Sequence, residues 1–483
     1  MHVVILNPPN VDEHTYIARS ADRWPHRVAK GRLFRNTLFP KYPLYLTYAA
    51  ALLEQHGFEV SIIDAAERNY SHAETVERIA RLSPRLVVTE IAEPSRLTDL
   101  QTVAALRAAT GAHQTLIGPH ATAFAMPLVQ ESAAIDSICR GEYYETLLDL
   151  ACTLDRAAPL AAVRGLTYRQ DGQPRSTPDR PLLKEIDKLP WPARHLLDPH
   201  RYLMGHYTYK PQLLMMTSIG CPYQCIFCIW PKVLYDSGKV RYRHADDVAA
   251  EVEEVVQRWG AREIYFDDDC FNLSERRVLE VCDAILRRGV IVPWITEMRC
   301  DRVSERMLER MRAAGCIKIL YGVESGNQEI LDNAKKGITL EQVRRTFKLT
   351  RQAGIRTHAT FMLGLPGETP QTIEATISFA KELEPDTIQC SIALPYTGTE
   401  FYDLARANGT LKVDSWLDFD GELCGAVEYA GLSKEYIRGS VNRFYRTFYL
   451  RPGHLGRRIL SIRTWSDIER FWHFAKGYLR RFS

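Results

Sequence analysis

The chain has 483 residues and sets 62 Lys and Arg against 59 Asp and Glu. That near balance excludes a protein that coats nucleic acid, which needs a strong basic excess to neutralise phosphates. With 46% hydrophobic and 25% charged residues, the composition also excludes disorder as the main state. At roughly 150 residues per domain the length predicts two large domains or about three smaller ones. No apolar run approaches the ~18 residues of a membrane helix. The opening MHVVILNPPN reads as a buried strand and a turn rather than a leader. A cytoplasmic, reducing setting is the expectation.

Residues 1–155 alternate strand and helix signals. MHVVIL, FEVSIID, PRLVVTEIA and HQTLIGPHA read as strands, and LYLTYAAALLEQHG and LQTVAALRAAT as helices between them. This order predicts a doubly wound parallel sheet, with ligands placed beyond the carboxyl ends of the strands. The tips on that edge include Glu93, Ser95, Gly118, Pro119 and His120.

Residues 156–212 read as a hairpin at Asp171-Gly172 followed by a proline-rich linker that wraps rather than packs. From 213 to 425 the alternation returns. EIYFDDD, VPWITEMR, IKILYGVE, THATFMLG and TIQCSIAL are strands separated by amphipathic helices. Together with LLMMTSIG they predict a partial (β/α)6 barrel with functional residues at strand ends. Residues 426–483 predict a helical, basic and aromatic tail. It is read either as a cap over the barrel or as an interfacial segment that touches anionic lipid.

Eleven cysteines occur, most of them scattered singly. Cys221, Cys225 and Cys228 instead share one loop just after a strand, in SIGCPYQCIFCIW. Three thiolates on one loop can ligate three irons of a cubane cluster and leave the fourth iron open. A zinc site normally takes four ligands in two pairs, and no second pair is present. Three coincidental core cysteines or a closed zinc knuckle are the competing readings.

CPYQCIFC resembles the cluster motif of radical S-adenosylmethionine (SAM) enzymes. YFDDDCFN, YGVESGNQEILDNAKKG and FMLGLPGETPQTI resemble that family's SAM-site segments. LIGPHAT and RGEYYETL are similar to its cobalamin-binding-type N-terminal domain. The resemblance implies a [4Fe–4S] cluster that cleaves SAM to a 5′-deoxyadenosyl radical, which takes hydrogen from a substrate. It implies an external electron donor such as flavodoxin or ferredoxin, and makes cobalamin a candidate further cofactor, with a degenerate domain that only packs against the barrel as the competing reading.

Carried over onto this chain, Cys221, Cys225 and Cys228 hold iron and Phe227 packs on adenine. Asp267, Asp268 and Asp269 lie where the methionine amino group is bound. Glu324 and Ser325 meet the ribose or the carboxylate, and Gly364, Leu365 and Pro366 line the adenine pocket. Glu93, Ser95, Gly118, Pro119 and His120 would face a corrin. The D-x-H-x-x-G loop that supplies one form of cobalt ligand is not in the sequence.

Finer detail looks most like hopanoid side-chain radical SAM proteins, with aminoglycoside radical dehydratases a near alternative. The expectation is therefore rearrangement or dehydration of a sugar-like small molecule. Cobalamin-dependent methylation of a carbon is the second reading, and a non-catalytic iron–sulfur scaffold a remote third. Glu297, Arg299 and His358, on barrel strands, are the candidate catalytic residues. Cys270, Cys300 and Cys390 are candidate hydrogen donors, with inert buried thiol as the competing reading.

Overall fold

The computed structural model describes residues 1–12, 15–19, 25–29, 40–204, 206–235, 238–413, 419, 425–454 and 456. Its strands are β1 His2–Asn7, β2 Thr15–Ala18, β3 His26–Ala29, β4 Glu59–Asp64, β5 Leu86–Glu90, β6 His113–Ile117, β7 Ser137–Cys139, β8 Leu166–Gln170 and β9 Gln173–Ser176. They continue as β10 Gln212–Met215, β11 Ser218–Ile219, β12 Arg241–Tyr242, β13 Glu263–Phe266, β14 Trp294–Met298, β15 Cys316–Glu324, β16 Arg356–Leu363 and β17 Thr387–Ile392.

The first sheet runs β4-β1-β5-β6-β7-β8-β9. Its first five strands are parallel and β8–β9 is an antiparallel hairpin. The hairpin assigned to the linker on sequence is therefore part of the N-terminal sheet, which extends to Ser176. The β-branched centres of β1 and β5 are wholly buried because helices cover both faces.

The second sheet runs β10-β13-β14-β15-β16-β17, every pairing parallel. Alternation along these strands divides their side chains. Leu213, Met215, Ile264, Phe266, Trp294 and Ile319 pack outward into the helix layer. Leu214, Met216, Tyr265, Ile295 and Leu320 face inward and share one apolar cluster with helix Leu44–Gln55 of the N-terminal domain. A partial barrel leaves β17 as an edge strand, and two tyrosines of helix Lys434–Tyr449 cover it. Tyr449 Oη accepts from Ile388 N (2.8 Å) and donates to Ile388 O (3.0 Å). One turn earlier, Tyr445 Oη accepts from Cys390 N at 2.9 Å. Tyr449→Phe should cost about 1–3 kcal/mol by leaving a buried amide unpaired. A lower urea midpoint at unchanged slope reads this, and an unmoved midpoint would refute it.

The amino ends of the barrel strands are plugged by the incoming chain. Glu263 accepts the amides of Thr208 (2.8 Å) and Tyr209 (3.1 Å), Lys318 Nζ donates to His206 O at 2.5 Å, and the His206 ring lies 4.2 Å from that of His358. Among the described residues this leaves the carboxyl-terminal mouth for chemistry, and there the two domains meet. Among the described residues no helix is long and apolar enough to cross a membrane. The proposed lipid-contacting tail from 457 onward lies outside the described residues.

Candidate functional site: the cysteine loop and the barrel mouth

The cysteine loop starts where β11 pairs with β12. Gly220 turns it with φ +104°, and a Cβ there would meet Lys239 O at 2.1 Å, so only glycine fits. Its amide donates to Asp269 Oδ2 at 2.7 Å. Mid-loop, Ile226 N donates to Ala334 O (3.1 Å) and Ile226 O accepts from Phe401 N (3.0 Å). The loop is thereby tied to the ends of two further helices. Tyr223 is held by three side chains. Arg299 stacks on its ring at 3.3 Å, its Oη donates to Asp301 at 3.0 Å, and Arg302 Nε donates to that Oη at 2.6 Å.

The donor set fits a cluster. Burial pushes the Cys221 thiol up to about 11, with Asp269 and Cys225 adding to the rise. Burial, then Cys225 and Cys221, raise Cys228 well above the ordinary thiol value. Thiols raised in this way ionise when a cation sits among the sulfurs. Among the described residues no three His, Cys, Asp or Glu side chains converge on one point as a single ion requires. A cubane instead spreads its ligands over separate corners.

Beside the loop, Glu324 ends β15 at φ +68°, a conformation rare outside glycine. Its Oε1 lies 2.6 Å from Lys336 Nζ. Both side chains are only 9% exposed. Burial works against the Lys336 charge, but Glu324 and Cys225 more than offset it and raise its pKa. Lys336 Nζ also lies 5.9 Å from the Phe227 ring. Phe227, Leu365, Ile330 and Ala334 form one small apolar cluster with Cys225. Gly364 closes the β16 turn, its amide bonded to Glu368 and its carbonyl to Tyr429 Oη at 2.9 Å. Burial pushes the Glu368 carboxyl up to about 8. Asp267, on the inward face at the end of β13, is 5% exposed.

Several sequence expectations need correction. Asp268 is spent on the loop's approach, accepting Thr217 N (2.6 Å) and Ser218 N (3.1 Å). Ser325 faces away, 3.1 Å from Thr376 Oγ1. Pro366 O accepts from Asn333 at 3.3 Å at the protein's rim. Arg299 is 5% exposed and donates to Asp301 (2.9 Å) and Lys336 O (2.7 Å), so it braces the loop instead of reaching substrate. His358 is buried in the floor against His206, with Nδ1 2.7 Å from Thr387 Oγ1. Burial lowers its pKa well below the usual histidine value. Burial pushes the Cys270 and Cys300 thiols up to about 12, and Cys390 faces the helix layer; all three are packing thiols. Of the candidate catalytic side chains, Glu297 alone faces the lumen part-exposed, with Tyr265 Oη donating to it. Gln389 and Ser391 of β17 and Thr360 of β16 are also inward and open to solvent.

Sequence reasoning missed Tyr223, Lys336 and Glu368. A signal existed for Lys336, a lysine pair ahead of Gly337 in a segment already singled out, but its partner Glu324 stands 12 positions away.

The corrin-facing set fares differently. Glu93 and His120 are 0% exposed, and Glu93 accepts from Thr397 Oγ1 at 2.8 Å. Ser95 Oγ donates to Asp99 at 2.7 Å, and Gly118 and Pro119 are buried at the start of a short helix. In the described residues these side chains pack on one another and, through Glu93 and Thr397, on the barrel domain.

A loop of three cysteines at the mouth of a parallel half-barrel is the pattern that comparison with known proteins places. Residues 215–380 match the radical SAM superfamily and residues 34–151 match the B12 binding domain. The chain is 30% identical over 413 residues to a protein described as "uncharacterized methyltransferase PH0819" from Pyrococcus horikoshii, covering 85% of this chain and 88% of that one. It is 27% identical to the anaerobic magnesium-protoporphyrin IX monomethyl ester cyclase of Rubrivivax gelatinosus, over 85% of this chain and 70% of that one. Among solved structures, the radical SAM methyltransferase TsrM from Kitasatospora setae, with cobalamin and a [4Fe–4S] cluster bound, matches with a TM-score of 0.67 at 19% identity. That match covers 94% of this chain and 89% of TsrM. The chain belongs to the radical SAM superfamily, in the branch that carries a B12-binding-type domain. Its family cofactors are a [4Fe–4S] cluster and SAM, and the domain match and the TsrM fold support cobalamin as a candidate third.

Proposed function

We propose that this protein takes a hydrogen atom from a carbon of a small, polar, hydroxyl- or amine-bearing substrate held in the barrel lumen, and that rearrangement or dehydration follows. The observation that carries this reading is the lumen wall. Glu297, Thr360, Gln389 and Ser391 are inward-facing, polar and open to solvent, beside an apolar layer of Leu214, Tyr265, Ile295 and Leu320. Such a wall suits an aminosugar or cyclitol, with a hopanoid side chain or an aminoglycoside precursor as the specific candidates.

Cys221, Cys225 and Cys228 would hold the cluster, which when bound and reduced by an external one-electron donor would supply the electron for splitting SAM into methionine and a 5′-deoxyadenosyl group. Lys336 offers its ammonium to the SAM carboxylate, and Glu324 keeps that ammonium charged and aimed. Phe227 and Leu365 provide the apolar bed for adenine. Arg299 keeps the loop seated through Tyr223. Glu297, steadied by the Tyr265 hydroxyl, accepts a hydrogen bond from a substrate hydroxyl or ammonium and can take its proton.

Glu297→Gln is expected to lower substrate turnover by about 10²–10⁴ while SAM is still cleaved without substrate. Unchanged turnover would remove Glu297 from the mechanism. Methyl transfer to the same carbon is the second reading, and the names of the relatives favour it more directly than rearrangement. Anaerobic turnover with aminoglycoside precursors and glycosylated hopanoids, followed by mass spectrometry, separates the two. Loss of water, or deoxyadenosine with an isomeric product, supports the first reading. Gain of one methyl group overturns it in favour of the second.

A further inference from the structure

In open parallel sheets a ligand is received beyond the carboxyl ends of the strands. Among the described residues that edge is roofed by the chain's own side chains. At the end of β1, Asn7 Nδ2 donates to Asp64 Oδ1 at 2.8 Å, and the other oxygen of Asp64, at the end of β4, accepts from Tyr202 Oη at 3.0 Å. Arg19, 2% exposed, lies across β1 and the helix after β5. Its Nη1 donates to Asn7 Oδ1 (3.0 Å) and Pro8 O (2.9 Å), and its Nη2 to Pro9 O (3.1 Å) and Asp99 Oδ1 (2.8 Å). Past β5 and β6 the roof passes to the barrel domain. Thr397 Oγ1 donates to Glu93 Oε1 at 2.8 Å, and His120 Nδ1 lies 3.3 Å from the same oxygen. A Cβ added to Gly398 would meet Val233 at 2.8 Å and Ala123 at 3.2 Å, so the domains touch there at van der Waals distance.

We infer that the B12-type domain of this chain binds no cobalamin and serves instead as a fixed wall across the barrel mouth. A corrin seated on this edge would have to displace a buried arginine with four hydrogen bonds and a buried carboxylate that joins the two domains. Each displacement strands charged groups away from water. The same wall steadies the stretch that follows the cysteine loop. Trp230 packs on Tyr45 with ring centroids 4.7 Å apart, and Arg241 meets Glu142 at 2.7 Å. The inference rests on the packing of the N-terminal domain and is independent of the substrate.

The test uses the full-length protein, expressed in a host that imports cobalamin and reconstituted anaerobically with iron and sulfide. Iron and cobalt per chain are measured together, and hydroxocobalamin and methylcobalamin are then added and followed by co-elution on gel filtration. Expected are about four irons per chain and cobalt at the buffer blank, with neither corrin co-eluting. Cobalt approaching one per chain, or saturable co-elution of either corrin, overturns the inference. Because iron is read in the same sample, a failure of the cluster assignment is distinguishable from a failure of this one. Hydrogen exchange on Glu93→Gln tests the wall. The amides of Ala92, Glu93, Ser95, Gly118, His120 and Ala121 should exchange faster than in the parent while iron loading is kept, and unchanged exchange would contradict the role given to Glu93.

Discussion

Cys225→Ala is expected to abolish iron loading and deoxyadenosine release together. Of the three cysteines, Cys225 is the one whose residue as a whole is buried. Its neighbour Ile226 is fixed on both backbone groups, to Ala334 and Phe401, so the loop cannot slide another donor into the vacated corner. A cubane with two protein ligands is labile, and SAM cleavage should fall to the uncatalysed background, a loss of at least ~10⁶-fold. Iron content, the visible absorbance of the reconstituted protein and deoxyadenosine by liquid chromatography check this. Retained iron with retained turnover would show that the loop is not the cluster site.

Lys336→Met should have the second-largest effect, and it splits into two parts. Removing one partner of a buried ion pair strands Glu324 and costs about 3–5 kcal/mol of stability. Removing a charged donor should also weaken SAM binding by on the order of ten- to a hundredfold, the worth of one hydrogen bond to a charged group. The double variant Lys336→Met with Glu324→Leu separates them, since replacing the whole pair by apolar groups restores much of the stability and leaves SAM binding weak. Urea unfolding and equilibrium dialysis with labelled SAM read the two quantities. SAM affinity that returns with stability in the double variant would make the pair purely structural.

The pattern of legibility follows the range of each interaction. Strand–helix alternation and the Cys221–Cys225–Cys228 spacing are local, and both were readable in the sequence. So was the inward placement of Glu297, because inward and outward positions alternate along a strand. What escaped is set by partners far along the chain. Asp269 looked like one of three equal carboxylates, but Gly220, 49 positions earlier, claims it. Arg299 stands on a barrel strand end like a substrate residue, yet Tyr223 is stacked beneath it. His358 does point inward, but the linker delivers His206 into the same floor. The N-terminal edge shows the limit most clearly. Its strands announce a ligand-binding sheet, and whether the edge is open depends on Arg19 and Thr397, which no local pattern connects to it.

The central claim is that three thiols hold a cubane whose fourth iron is open to SAM. Electron paramagnetic resonance of the reduced, reconstituted protein, recorded with and without SAM, tests it most directly. The account predicts a [4Fe–4S]⁺ signal whose g values move when SAM is added, in a sample that accumulates methionine and deoxyadenosine in equal amounts. A signal indifferent to SAM, or a protein that takes up one zinc per chain in place of iron, would contradict it.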